Sequence, residues 1–319
     1  MDIRQLRYFV AIVEHGSFSR AAEAVHVAQP ALSLHVRNME AELDTKLLFR
    51  NPKGVVPTEA GEILLRNARI ILDQLTVTEE EVRGHENDPS GVVRLGLPGT
   101  ISEILSVPLI MAARSRYPKV ELRIAEAMSG FVLEWLSESR IDLAVIYRNV
   151  NENGLASVEL LEEDLVFFAP SQGLNDKGIL PAADATPELA EVAHLPLIVP
   201  AKTHGLRMLI DNHANATGVA LNVAIEVDSY ANIKELVSAG LGCSILPLNA
   251  ISREVAAGRL TSWRTRDTPL RRSAFMAYPV ARPMTNAVTA IRNLAEDVLR
   301  DLARNGSWIG ARVLPVEPD

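Results

Sequence analysis

The residues with the clearest chemical potential lie in segment 29–43, which the spacing predicts to be a helix. Pro30 suits its first turn, where a missing N–H costs nothing. Apolar residues at spacings of four, three and four are expected to share an inward face: Leu32, Val36, Met39 and Leu43. The opposite face is polar, with Gln29, Ser33 and Arg37, and with His35 at its flank. Gln pairs with adenine and Arg with guanine or a phosphate, so this face suits the DNA major groove. An ordinary amphipathic helix with a solvated face fits the periodicity equally well.

The neighbouring segments would position this helix. Upstream, Ser19 is expected to cap a short helix whose small residues let another helix approach: Ala21, Ala22, Ala24 and Val25. Downstream, a compact basic loop carries Arg50 and Lys53 and leads to Thr58. Two short helices joined by a tight turn and followed by such a loop are the layout of a winged helix-turn-helix, which we place at residues 1–58.

A long helix is predicted next. From Thr58 to about Arg83 there is no proline, which predicts about 26 helical residues spanning roughly 39 Å. Thr58 suits the cap position, and Glu59 and Glu62 suit the positive end of the helix. A wide apolar stripe recurs every three or four positions: Ile63, Leu64, Ala68, Ile70, Ile71, Leu72 and Leu75. It requires burial, either by the same helix of a second subunit, which we favour, or by its own domain. Residues 84–91 (GHENDPSG) predict a hinge, so the linker occupies 59–90.

From residue 92 short apolar strands alternate with helices, the first of which is expected to break near Pro108. This alternation predicts a largely parallel sheet, in which ligands bind beyond the carboxyl ends of the strands. Three such ends lead into polar or glycine-rich turns: Pro98, Gly99 and Thr100; Ser129 and Gly130; Pro200, Lys202, Thr203 and His204. They offer hydroxyls, N–H groups and one cation to a small anion. Ordinary helix capping by Thr100, Ser129 and Thr203 is favoured by spacing alone. Arg148 and Asp228 either line this cleft or are merely solvated.

Charge and composition restrict the class of protein. The chain has net charge −8, which argues against a generic polyanion binder. Residues 1–58 contain seven basic and six acidic residues, giving +1, and the remainder carries 25 basic and 34 acidic, giving −9. No apolar run approaches the ~20 residues of a membrane span, and the start lacks a secretory signal, so a cytoplasmic, nucleoid-associated location is expected. The single cysteine, Cys243, excludes an internal disulfide and is predicted to be buried.

Residues 1–60 resemble the DNA-binding domain of LysR-type transcriptional regulators. The matching pieces are MDIRQLRYFVAIVEHGSFSRAAEAVHVAQPALSLHVRNMEAEL and LLFRNPKGVVPTEAG. The resemblance implies that the helix from Gln29 reads DNA and that residues 50–54 form the wing. Carried over by position, Gln29, Pro30, Ser33 and Arg37 fall on the reading helix, and Arg50, Lys53 and Thr58 on the wing and its exit. Lys53 stands where the family often has arginine, so a bidentate contact becomes a point-charge contact.

Region 91–305 is similar to the two-lobed, periplasmic-binding-protein-like effector domain of the same family. The resemblance is carried by IDLAVIY, GLASVELLEEDLVFF and LVSAGLGCSILP. It implies one lobe at 91–163 plus 268–305, another at 164–267, and an inducer cavity between them at the three turns. LPGT, EAMSG and GLASVELLEEDL are similar to the branch of nitrogen-assimilation-control regulators. The fold class expected is therefore α+β multidomain. Residues 306–319 form a tail that is expected to dock loosely or stay disordered.

The hypothesis for function follows from these parts. Paired N-terminal domains read a dyad-related site in double-stranded DNA, with dimerisation through the linker helix and a homotetramer formed by paired effector domains. A small, anionic effector shifts the balance of two assembly geometries and so changes access by RNA polymerase. Neither a cofactor nor a metal is expected, since His204 and His213 lack the i, i+4 spacing of a zinc pair and His194 stands alone.

Three alternatives remain open from the sequence. The first is a ligand-independent regulator of the same family. The second is a solute-binding protein, which the N-terminal module and the missing export signal disfavour. The third is an enzyme that uses the interlobe cleft, which is disfavoured because no GxSxG elbow, Walker loop, CxxC or GxGxxG motif is present.

Overall fold

The N-terminal part folds as three helices and a two-stranded hairpin around a single core. The computed structural model describes residues 1–51, 54–83, 88–152, 154–172, 180–182, 184–266 and 270–314. Helices α1 (Ile3–His15), α2 (Phe18–Ala24) and α3 (Gln29–Glu42) precede the antiparallel strands β1 (Leu48–Asn51) and β2 (Gly54–Pro57). The core draws side chains from every one of the helices and from β1: Leu6, Phe9, Ile12, Ala21, Leu32, Val36, Met39 and Leu48.

Two local predictions for this domain are wrong. Helix α2 is capped by Ser17, not Ser19, and the Ser17 hydroxyl accepts from the Arg20 N–H at 3.5 Å. Leu43 was expected inside with Leu32, Val36 and Met39, but its side chain is 42% exposed. It is the C-cap residue of α3, so the helix ends before Leu43 can continue the inward face. Among the small residues of α2, Ala21 and Ala22 are buried, whereas Ala24 is exposed.

The long linker helix, α4 (Glu59–Arg83), begins where the sequence indicates. The Thr58 hydroxyl accepts from the Gly61 N–H at 3.0 Å and donates to the Lys46 carbonyl at 2.6 Å, so Thr58 caps α4. Gly61 is required for the close approach, because a Cβ there would lie 2.1 Å from the Leu47 carbonyl oxygen.

The apolar stripe of α4 is divided between two faces. Ala68 lies in the core of the N-terminal domain, and Leu64 and Leu72 pack against that core, so the chain's own domain covers part of the stripe. Leu65, which the predicted stripe did not include, is buried in the same core. Ile63 and Ile71 are exposed. The hinge predicted after α4 falls partly on residues 84–87, which lie outside the described residues.

The next unit contains β3 (Gly91–Leu97), α5 (Gly99–Arg116), β4 (Val120–Glu126), α6 (Ser129–Ser137) and β5 (Leu143–Ile146). Strand β3 pairs in parallel with β4 and with β5. The predicted break at Pro108 is wrong, because α5 continues through it. One face of α5 stays packed on both sides of the proline, and this packing offsets the lost backbone hydrogen bond: Ile101, Leu105, Leu109 and Ala113.

One 16-residue strand, β6 (Leu155–Pro170), connects the two lobes. Its residues 155–164 pair antiparallel with β11 (Arg271–Pro279), and its residues 165–170 pair with β9 (Ser244–Pro247) and β10 (Leu260–Trp263). In the part of the chain that is described, these strands form an eight-stranded sheet in the order β10-β6-β11-β5-β3-β4, with β9 and β12 (Ala311–Val313) also on β6. The sheet is therefore mixed, and the expectation of a largely parallel sheet is wrong because β6 and β11 return antiparallel.

The second lobe packs its own core around the far half of β6. It adds the parallel pair β7 (Leu197–Val199) and β8 (Val223–Glu226) and the helices α7 (Leu189–Val192), α8 (Gly205–Ala216), α9 (Tyr230–Ser238) and α10 (Leu248–Ala256). Cys243 is buried in this core as predicted, and burial raises the pKa of its thiol to about 12.

The chain then returns to the first lobe through α11 (Asn286–Arg304) and β12. The tail was expected to be loose, but β12 pairs with β6 and Trp308 is buried in the first lobe's core. Burial of this large aromatic side chain accounts for the difference. Residues 315–319 lie outside the described residues. No helix in the described ranges is both long and apolar enough to cross a membrane.

Candidate DNA-binding face and interlobe site

Helix α3 presents Pro30, Leu34 and Arg37 to solvent. Ser33, predicted on the same polar face, is buried and its hydroxyl accepts from the Gln29 side-chain amide at 2.9 Å. Ser33 therefore holds Gln29, which is half-buried, in place. The His35 ring lies 5.1 Å from the Tyr8 ring and is half-buried, so this side chain packs towards α1.

The wing of the same domain carries a second exposed cation. Arg50 on β1 is exposed, and its guanidinium carbon lies 4.3 Å from the centre of the Phe18 ring at the start of α2. This cation–π contact orients Arg50 without neutralising it. Thr58 is buried, and its hydroxyl is committed to Lys46 and Gly61, so it shapes the exit of the wing. Lys53 lies outside the described residues.

A buried charged cluster joins the two lobes, and we call it the Arg272 cluster: Thr100, Tyr147, Glu163, Tyr230 and Arg272. The Arg272 Nε donates to Glu163 Oε1 at 2.5 Å, and its guanidinium carbon lies 3.4 Å from the centre of the Tyr147 ring. Arg272 Nη2 donates to the Thr100 hydroxyl at 3.3 Å, and Arg272 Nη1 donates to the Tyr230 hydroxyl at 3.5 Å. Thr100 belongs to the first lobe and Tyr230 to the second, so one guanidinium contacts both.

The electrostatics of the Arg272 cluster follow from burial. Burial tends to lower the pKa of the Arg272 guanidinium, but the Glu163 carboxylate and the two tyrosines outweigh it, and the pKa is raised. Burial raises the pKa of Tyr147 and of Tyr230, so both hydroxyls stay protonated. Glu163 also accepts from the Trp308 indole N–H at 2.8 Å. The cluster thus holds one buried cation and one buried anion.

The three predicted turns are placed differently relative to this cluster. Thr100 belongs to it, and His204 lies beside it, with its ring 5.8 Å from the Tyr230 ring. Burial lowers the pKa of His204. Lys202 and Thr203 are exposed and Pro200 is buried. Ser129 and Gly130 begin α6.

Spacing alone favoured helix capping by Thr100, Ser129 and Thr203, and that interpretation is wrong for all three. The N-cap positions are held by Pro98 for α5, Met128 for α6 and His204 for α8. A proline or methionine side chain is a poor acceptor, so the first N–H groups of α5 and α6 are not capped by these residues. The Glu126 carboxylate lies close to the first residue of α5, since a Cβ at Gly99 would lie 3.2 Å from Glu126 Oε1.

Of the two charged residues considered for the cleft, neither joins the Arg272 cluster through a described contact. Arg148 pairs with Glu152 at 2.9 Å, and both side chains are mostly exposed. Asp228 accepts from the Ala201 N–H at 2.9 Å and so shapes the turn before α8. Within the described residues, no group of three or more His, Cys, Asp or Glu side chains is arranged to hold a metal.

The sequence reasoning missed Tyr147, Glu163, Tyr230 and Arg272. A signal for two of them exists in the strand alternation. Arg272 is in phase with the buried residues Ala274 and Met276, and Glu163 is in phase with Leu161 and Leu165. Arg272 and Glu163 are direct partners in the β6–β11 register, so two opposite charges occupy one inward position.

A second set of ion pairs, which we call the linker seam, joins α4 to the first lobe: Glu14, Arg69, Asp73, Arg94, Asp142 and Arg282. Arg282 lies between Asp73 of α4 and Asp142 next to β5, with N–O distances of 2.5 Å to each. Arg69 of α4 donates to the Ser139 carbonyl at 2.8 Å. Glu14 of α1 pairs with Arg94 of β3 at 2.6 Å and with Arg69 at 3.2 Å. The linker helix and the N-terminal domain are thereby tied to the first lobe of the same chain.

Comparison with known proteins identifies both parts of the chain. Residues 3–62 match the model of the bacterial regulatory helix-turn-helix proteins of the lysR family, and residues 86–300 match the LysR substrate binding domain. Nitrogen assimilation regulatory protein nac from Escherichia coli K12 is 31% identical over 302 residues, covering 94% of this chain and 95% of the relative. The Nac protein of Klebsiella aerogenes is 32% identical, covering 83% and 84%.

Solved structures show the same fold. Full-length OxyR from Pseudomonas aeruginosa superposes with a TM-score of 0.79 at 22% identity, over 100% of this chain and 99% of that one. Full-length CbnR complexed with its target DNA gives 0.53 at 22% identity, over 93% and 99%.

The chain belongs to the LysR family: it is a DNA-binding transcriptional regulator with an effector-binding domain. The predicted family is confirmed, and so is the likeness to the nitrogen-assimilation-control branch.

Proposed function

We propose that two copies of this chain read a dyad-related operator through α3, with Gln29 and Arg37 at the base edges and Arg50 on the phosphates. The observation that carries this is the exposed pair of cations, Arg37 on α3 and Arg50 on the wing, on a domain whose net charge is close to zero. A weakly charged domain gains affinity for DNA by placing few cations well, and dimerisation doubles each contact. Lys53, as the second wing cation, belongs to the same proposal.

Self-association through α4 is the second part of the proposal. Ile63 and Ile71 are exposed on α4, while Leu65 and Ala68 are turned into the N-terminal core. A second copy of α4 would cover the exposed residues. Further exposed apolar side chains lie on α5 and α8 of the effector domain, and they support a tetramer made of two such dimers: Val107, Met111 and Met208.

The effector proposal rests on the Arg272 cluster. Glu163 occupies the Nε side of the guanidinium, whereas the Nη1–Nη2 edge makes long contacts to Thr100 and Tyr230. A small carboxylate or similar oxyanion between the lobes would replace these with a bidentate pair. It would also reach the first N–H groups of α5. Its differential affinity for two lobe arrangements would change the assembly on DNA and the access of RNA polymerase.

A second candidate, regulation without any ligand, is favoured by a specific observation. Glu163 already neutralises Arg272, and Glu126 already lies against the first residue of α5. In this version the chain's own carboxylates occupy both positions that an anion would take. The named relatives are regulators, and we include in the proposal that the chain catalyses no reaction and works in the cytoplasm, where the chromosome is.

The test combines DNA selection with a ligand screen on the full-length chain. Selection from a random duplex library, followed by sedimentation of the complex, is expected to give an inverted repeat bound by an even number of chains. Thermal shift is then measured with sulfate, phosphate and C3–C6 dicarboxylates. A binder present at 100 times its Kd stabilises by about 2.7 kcal/mol, and Thr100→Val is expected to abolish that shift. If the selection enriches no sequence, the DNA-reading proposal is refuted. If no probe shifts the melting temperature, the ligand-independent version is favoured.

A further inference from the structure

Leu34 is an apolar side chain on the exposed face of α3. It is 52% exposed, although α3 buries Leu32, Val36 and Met39 on its other side. Leu34 lies one turn after Pro30 and one turn before Asn38, so the three side chains form a row along the outside of the helix. The core of the domain does not require a leucine at this position. It is therefore available to contact whatever binds the outer face of α3.

We propose that Leu34 reads thymine, by packing its side chain against the C5 methyl group of one thymine in each half-site. The assignment of Leu34 rests on the proposed DNA reading by α3, and it adds which base residue 34 selects. The thymine methyl is the apolar group that base pairs present in the major groove, and an apolar side chain prefers it to the polar edges of other bases.

Charge argues that DNA, rather than another protein, covers this row. Residues 29–39 of α3 contain Arg37 and no acidic residue, and the wing of the same domain carries the exposed Arg50. The acidic residues of α3 begin at Glu40, and the Glu40 carboxylate is engaged by Lys46 at 2.7 Å. The part of α3 that carries Leu34 is therefore the part that a phosphate backbone tolerates.

The neighbouring polar side chains of α3 do not compete with Leu34 for the base that it faces. Ser33 is buried and accepts from the Gln29 side-chain amide, so the Ser33 hydroxyl is not available to the base that faces Leu34. Arg37, one turn further along, is exposed. Within one half-site, the thymine read by Leu34 therefore lies next to the base or phosphate contacted by Arg37.

The experiment begins with the duplex that the wild-type chain selects from a random library. Each thymine of that duplex is replaced in turn by deoxyuridine, which removes the C5 methyl and keeps the Watson–Crick edge. At one thymine position in each half-site, replacement by deoxyuridine is expected to weaken binding about fourfold. A buried methyl group contributes about 0.8 kcal/mol, and 1.4 kcal/mol corresponds to a tenfold change in Kd. Replacing the symmetric pair is expected to weaken binding about fifteenfold, if the two half-sites add.

Leu34→Ala is expected to lose this sensitivity, so that the thymine and deoxyuridine duplexes bind it equally. Leu43→Ala is the matched control, because Leu43 is an exposed leucine at the C-cap of α3, just after its acidic residues, and this variant is expected to keep the full deoxyuridine effect. Circular dichroism of both variants checks folding. If Leu34→Ala keeps the wild-type uridine effect, or if the wild-type chain shows none at any thymine, the assignment of Leu34 is overturned. Failure of the wild-type chain to enrich any sequence refutes the DNA-reading proposal itself, so the two failures are distinct.

Discussion

Replacing Arg282 with alanine is expected to lower the free energy of unfolding of the effector domain by about 3–5 kcal/mol. Arg282 is 8% exposed and lies between two carboxylates, Asp73 of the linker helix and Asp142 of the first lobe. Without the guanidinium, both acids face each other with little water, and a buried charge that loses its partner is costly. Arg282 Nη1 also donates to the Ile141 carbonyl at 3.1 Å, so the variant loses that bond too.

The loss is expected to depend on pH in a defined direction. Burial already raises the pKa of Asp73 above its usual value, although Arg282 opposes this, so removing Arg282 raises it further. An acid whose pKa is higher in the folded state than in the unfolded state binds more protons when folded, so stability falls as pH rises through the folded pKa. The difference between the variant and the wild type is therefore largest at neutral pH and shrinks as pH falls towards the normal pKa of an aspartate.

Urea denaturation followed by tryptophan fluorescence measures this loss, because Trp135, Trp263 and Trp308 all lie in the effector domain. The matched control is Arg148→Ala, which removes an arginine from an exposed pair with Glu152 and is expected to cost less than about 1 kcal/mol. Equal costs for the two variants would refute the reasoning that burial makes the linker seam strong.

Three further predictions concern single side chains. Arg37→Ala is expected to weaken binding to the selected duplex by about 1–3 kcal/mol if Arg37 contacts a base, and an unchanged Kd in fluorescence anisotropy would remove it from the reading set. Cys243, with a pKa of about 12, is expected to react with a thiol reagent at pH 8 at least about a hundredfold more slowly in the native chain than in urea, and a rapid native reaction would contradict its burial. Because burial lowers the pKa of His204, the folded chain binds fewer protons there than the unfolded chain does. Stability is therefore expected to fall as pH drops below about 6.5, and His204→Gln should reduce that slope in urea titrations at several pH values.

How much the sequence could predict depends on how local each signal is. The inward face of α3 followed from spacing for Leu32, Val36 and Met39, because a helix fixes the direction of each side chain. The prediction that Leu43 is buried was wrong because the same spacing cannot show where the helix ends. Local rules also placed Thr58 at the start of α4, while the cap of α2 moved by two residues, from Ser19 to Ser17.

The interlobe site was only half predictable because its parts are far apart in the chain. Thr100 follows a strand end, which is a position that sequence can identify. Arg272 is 172 residues away from Thr100, and it lies opposite Glu163 because β6 and β11 pair in a particular register. Pairing between distant strands is set by tertiary packing, so neither Glu163 nor Arg272 could be assigned a partner in advance. The expectation of parallel strands failed for the same reason.

The register of β6 with β11 makes the second lobe an insertion that leaves and re-enters the first lobe at neighbouring points. Asp164 and Arg271 stand directly opposite each other in the antiparallel ladder, where their side chains also pair at 3.4 Å. Everything from 165 to 270 is thus attached to the two ends of what is otherwise one hairpin. The Leu165 N–H donates to the Leu270 carbonyl at 2.8 Å, so an Asn-Gly turn spliced between these two residues would close that hairpin and separate DNA reading from the removed half of the ligand cleft.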